Sequence, residues 1–127
     1  WKCTKLTDFQ EGLDLSSGTN FKSAWYGCTS LTDFAQIDLS SGTDFSYAWM
    51  GCHNLVNLGG FGAIKANFDL SDSTVLTVDS LMNVITQAAD LNSLGITGKK
   101  MTFGNTNLAK LTDAQKGVAT SKGWSLA

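Results

Sequence analysis

Trp1, Trp25 and Trp49 stand 24 residues apart, and the sequence around them recurs: WYGCTSL at 25–31 is answered by WMGCHNL at 49–55. Cys3, Cys28 and Cys52 fall 25 and 24 apart because the first copy reads WKC. One extra residue in FQEGLDL (9–15), against FAQIDL (34–39), restores the spacing of 24 between Asp14 and Asp38. Leu6, Leu31 and Leu55 then correspond, as do Phe9, Phe34 and Leu58, and the turn DLSSGT occurs at 14–19 and 38–43. Units of this length cannot bury their own apolar faces, so each must be covered by its neighbours. The expectation is a short solenoid.

Within one period, Phe21, Ala24, Trp25, Cys28 and Leu31 lie at helical intervals and predict a short helix with one face toward a core. SLTDFAQIDL changes rhythm and ends in Ser-Ser-Gly, which predicts an extended segment and then a tight turn whose glycine takes positive φ. The expected fold class is therefore an α/β solenoid, each coil of about 24 residues holding one short helix and one short strand.

The pattern FxxAWxGCxxLxxFxxIDLSSGTxF, carried by Cys28, Leu31, Phe34, Phe45, Ala48 and Trp49, resembles the BspA-like leucine-rich repeats of bacterial surface proteins and of phage virion and tail-fibre proteins. The resemblance covers residues 1 to about 64 and implies a right-handed leucine-rich-repeat coil. It also implies surface exposure and adhesion.

After Gly62 the repeat dissolves. LTVDSLMNVITQAADL (76–91) places Leu81, Val84, Ile85, Ala88 and Ala89 on one face, with Thr77 or Asp79 as cap, and predicts an amphipathic helix. KKMTFGNTNL resembles the strand of a leucine-rich repeat, with Thr106 in the place of its asparagine, and is expected to add a rung to the same sheet. Thr112 and Gln115 form a capping box; Leu111, Ala114, Val118 and Ala119 make an apolar stripe; Lys122-Gly123 is a stop; Trp124 and Leu126 flank a last strand at Ser125. The tail from about 65 resembles the C-terminal cap of the same family. The whole chain, 1–127, reads as one domain, with repeats over 1–64 and a helical cap over 65–127. Because it starts at Trp1, inside a copy, it reads as a piece of a longer protein.

Nine basic residues against 11 acidic ones, without a run of either sign, argue against nucleic acid as a partner. No apolar stretch approaches the ~20 residues of a membrane-spanning helix, so no membrane insertion is expected. The single histidine, His53, holds the corner position of Thr4 and Thr29 and reads as a surface residue. Cysteines 24 and 25 apart are not a zinc pattern and read as buried free thiols, with at most one disulfide open to the three. The Asp-rich turns at Asp14, Asp38 and Asp69 could offer calcium oxygens, but Asx-turn hydrogen bonds explain them equally well. No catalytic residue, metal or cofactor is expected, and the chain is not expected to be an enzyme.

What remains is surface. Residues interleaved with core positions on the strands, namely Thr7, Asp8, Thr32, Asp33, Val56, Asn57, Thr102 and Ser125, form a candidate binding strip or simply a solvated sheet face. Lys22, Tyr26, Tyr47 and Met50 fall outside the core stripe, and Tyr26 and Tyr47 are candidate contact aromatics. The expected function is a surface-displayed adhesion module that binds a host-surface protein or glycan, extracellular or on a virion. The alternative is a structural module of a filament or virion assembly whose partners are its own copies or neighbouring repeats. Replacement of Trp25 or Trp49 by Ala is expected to cost about 3–5 kcal/mol of stability if they are core residues. An unchanged melting temperature would remove them from the core.

Overall fold

The computed structural model describes residues 3–9 and 13–127; Trp1 and the extra residue in FQEGLDL lie outside them. Strands β1 (Asp8–Phe9), β2 (Asp33–Phe34) and β3 (Asn57–Leu58) form one parallel sheet in that order. A second parallel sheet joins β4 (Phe68–Asp69), β5 (Lys100–Thr102) and β6 (Ser125–Leu126). The helices α1 (Val78–Gln87), α2 (Leu91–Leu94), α3 (Gly104–Leu108) and α4 (Asp113–Ser121) all follow β4 in the chain.

The expected leucine-rich-repeat solenoid of helix-plus-strand coils is therefore corrected: the chain forms a small α/β fold with two short parallel sheets. Residues 21–31 and 45–55 hold no α-helix. The hydrogen bonds show why. The amides of Phe21, Ser23, Trp25 and Gly27 donate to the carbonyls of Asp44, Ser46, Ala48 and Met50, so every second N–H of this segment is used between the two copies. Those of Ala24, Tyr26 and Cys28 reach back only three residues. An α-helix would consume all of them at i−4. Ser23 and Tyr47 (φ 57° and 59°) and Gly27 and Gly51 (φ 71° and 82°) break the helical path. Ala24, expected in the core, is consequently exposed, whereas Ala48 is buried.

The glycine of the Ser-Ser-Gly turn has a different role from the one its turn chemistry suggests. Gly18 and Gly42 do not take positive φ. A Cβ on Gly18 would lie 2.4 Å from Cζ of Phe21, and one on Gly42 2.2 Å from Cζ of Phe45, so the glycine makes room for the ring three residues later. Those rings start an aromatic stack. Phe21 lies on Phe45 at 5.4 Å, Trp25 on Trp49 at 5.3 Å and Trp49 on Phe61 at 4.5 Å, while Phe34 meets Trp25 edge-on. The buried indole N–H of Trp49 has no hydrogen-bond partner among the described residues, so stacked area holds this ring in place. One continuous core runs from Phe21 to Trp124.

β5 was expected to extend the first sheet, and α1 prevents it. The outer edge of β3 is occupied by side chains of that helix and its cap. Leu58 N–H donates to Ser80 Oγ (2.9 Å), Ser80 Oγ donates to Val56 O (2.9 Å), Asn83 donates to Leu58 O (2.9 Å) and Gln87 to Gly59 O (2.8 Å). Thr77 N–H also donates to Val56 O. Ser80, Asn83 and Gln87 recur at three and four residues, so one helix face meets successive residues of the strand end. Gly60 (φ 113°) allows the chain to wrap the Gln87 carboxamide, where a Cβ would come within 2.2 Å of Oε1.

The other end of α1 is held from α4: Lys122 Nζ donates to the carbonyls of Ile85, Thr86 and Ala88. Thr77 is the N-cap of α1, and the Thr112–Gln115 capping box opens α4. Two tail expectations shift. Ala114 is exposed while Leu111 and Ala119 are buried, and Thr106 is exposed while its neighbour Asn107 is fully buried. Asn107 donates to the carbonyls of Ser73 and Phe103.

Ser80→Ala leaves the Leu58 N–H buried without an acceptor and is expected to cost about 1–3 kcal/mol. Urea denaturation measures it, with the exposed Thr86→Ala as control, expected to change stability by no more than ~0.5 kcal/mol.

Candidate functional site

The register of the first sheet puts Asp8 beside Asp33 and Asp33 beside Asn57. Along β2 and β3 the first residue is exposed and the second buried, so Asp33 and Asn57 face water while Phe34 and Leu58 face the core. An open hollow of about 780 Å³ lies over this row, walled on one side by Gln36 and on the other by Thr77, Asp79, Ser80 and Asn83 at the start of α1.

The row is pre-organised. Asn57 Nδ2 donates to Asp33 Oδ1 (2.7 Å) and Thr32 Oγ1 lies 2.8 Å from Asp33 Oδ2 and 3.1 Å from Thr7 O. The Asn57 amide first, and then the Thr32 hydroxyl, hold the Asp33 carboxyl below the usual carboxylate range. At neutral pH Asp33 is therefore an ionised acceptor, poorly matched to giving up a proton in acid–base chemistry. Acceptors and amides in an open hollow suit hydrogen bonding to a ligand rich in donors.

The sequence-derived strip is divided between the two sheets. Thr7, Asp8, Thr32, Asp33 and Asn57 belong to the first. Thr102 and Ser125 lie on β5 and β6, where Thr102 lines a separate hollow with Lys100 and Asp69. Sequence reasoning misses this wall: it gives Thr77 and Asp79 only a capping role and Gln36, Ser80 and Asn83 none. The signal was present in α1 as a polar stripe beside the apolar one, Ser80, Asn83 and Gln87 at helical spacing.

Tyr47 and Met50 are exposed and Tyr26 half-buried. His53 is exposed and lines, with Tyr26, Met50 and Asp72, a hollow of about 450 Å³. The Asp-rich turns are Asx turns: Asp14, Asp38, Asp44 and Asp69 each accept from the backbone N–H of the serine two residues on. These serines hold the first three carboxyls below their ordinary range. Among the described residues no group of three His, Cys, Asp or Glu side chains could hold a metal ion, and no helix is long and apolar enough to cross a membrane.

Cys3, Cys28 and Cys52 are free thiols. Burial pushes the Cys28 thiol up to about 11 and the Cys52 thiol up to about 12. No family model, no curated protein and no solved structure matches this chain.

The thiols give a direct check of the core. At mildly alkaline pH in native buffer, iodoacetamide is expected to label half-buried Cys3 first, and Cys28 and Cys52 only on unfolding, as read by peptide mass spectrometry. Labelling of Cys52 at the rate of Cys3 would show that the core around Trp25 opens readily.

Proposed function

We propose that the chain is a non-catalytic binding module displayed on a surface, extracellular or on a virion, which presents the Asp8, Asp33 and Asn57 row to a host-surface protein or a glycan. The observation that carries this reading is the 780 Å³ hollow, whose central carboxylate is already ionised and oriented by Asn57 and Thr32. A ligand then meets acceptors whose side-chain order has been established by folding, which lowers the entropic cost of binding. The likeness of the FxxAWxGC pattern to BspA-like repeats supports a place within a longer bacterial surface or phage tail-fibre protein.

A structural module of a filament or virion assembly is the second reading, favoured by Tyr47 and Met50, which are 58% and 46% exposed. The two readings separate experimentally. In the adhesion reading, the double variant Thr32→Ala with Asp33→Ala binds immobilised host glycans and surface proteins at least about tenfold more weakly, with its melting temperature kept. Undiminished binding would remove the row as the site. In the assembly reading, light scattering shows self-association that substitutions at Tyr26 or Tyr47 disperse.

A further inference from the structure

Tyr47 combines a costly backbone conformation with a largely exposed ring. Its φ of 59° lies in the left-handed region, which bulky side chains rarely adopt, and its side chain is 58% exposed. The residue 24 positions earlier, Ser23, holds the same conformation (φ 57°) with a small side chain. The backbone path therefore needs only a residue that tolerates this region, and the phenol adds strain with little burial in return. Met50, three residues on, is also exposed.

The two side chains line a hollow of about 210 Å³ with Asp69, Ser71 and Asp72. Both carboxylates are fixed. Asp72 Oδ2 accepts from Gly51 N–H (2.9 Å), and Asp69 Oδ1 accepts from Ser71 N–H (2.8 Å) and Ser71 Oγ (2.6 Å). Among the described residues no lysine lines the hollow; Lys100 lines the neighbouring one, which Asp69 also borders. An aromatic ring, a thioether and two anchored carboxylates are complementary to a cation on an apolar stem. The carboxylates attract the charge, the ring face adds cation–π attraction, and Met50 packs against methylenes. The volume suits one side chain.

We propose that this hollow receives a lysine or arginine side chain of a partner polypeptide. The site is distinct from the Asp8, Asp33 and Asn57 row and does not depend on that row's ligand.

Amide-resolved NMR titration of the full chain with an acetylated Gly-Arg-Lys-Gly peptide amide tests it, against the same peptide carrying norleucine at both basic positions. The basic peptide is expected to shift Tyr47, Met50, Ser71 and Asp72, with an effect that weakens in high salt. Two variants keep the fold in view: Tyr47→Ser copies the residue at position 23, and Asp69→Asn keeps the Oδ1 acceptor of the turn. Each is expected to weaken binding about fivefold or more, on the order of 1 kcal/mol. The proposal is overturned by equal shifts with the norleucine peptide, by shifts confined to the hollow over Asp33, or by no shift at millimolar peptide. It is equally overturned if Tyr47→Ser binds unchanged, or if the patch proves to join two copies of this chain, seen as peptide-independent association that Tyr47→Ser disperses.

Discussion

The architecture depends on how the edge of β3 is closed. A parallel strand at the end of a sheet presents unpaired amides and carbonyls, and another strand would normally satisfy them. Here Thr77, Ser80, Asn83 and Gln87 take Val56 O, Leu58 N–H, Leu58 O and Gly59 O one after another. With these groups occupied, the first sheet ends and the next strands start a second. The same helix turns Leu81, Val84 and Ile85 into the core, so one ten-residue element both closes the edge and adds to the apolar interior. Gly59, Gly60 and Gly62 belong to the same device, because the chain must pass within contact distance of Gln36, Gln87 and Asp38.

On the other side of β3 the bonding is between successive sequence copies. Alternate amides cross from 21–27 to 44–50, Thr32 and Thr43 reach the carbonyls of Thr7 and Thr19, and the rings of one copy lie on those of the other. Polar links at the rim and stacked rings within act on the same register, so a slip of one residue would break both. Gly18 and Gly42 let the rings pack closely, which is why a turn that could tolerate serine or asparagine carries glycine.

Both surface features follow from this register. The 25- and 24-residue spacings place Asp8, Asp33 and Asn57 side by side, and the helix that closes the sheet edge supplies the opposite wall of their hollow. The left-handed residue that each copy needs in order to bend carries a side chain outward, serine in one copy and tyrosine in the next. A structural necessity at the backbone thus leaves the side chain free to vary.

Much of this was legible in the residues alone. The period determined which positions pair, because parallel neighbours must match residue for residue, and it marked Phe34, Trp25, Trp49, Cys28 and Cys52 as interior. Local signals determined α1 and α4, since Thr77, the Thr112–Gln115 box and Gly123 act within a few residues of chain. Periodicity could not tell a helix from a series of tight turns over 21–31, since both bring every third or fourth residue to one face. The choice was made by hydrogen bonds to a segment more than 20 residues away. Nor could it tell that the strands divide into two sheets, or that Thr102 and Ser125 stand apart from Asp33. Those outcomes rest on which groups reach the edge of β3, and only the packed chain brings Ser80, Asn83 and Gln87 there.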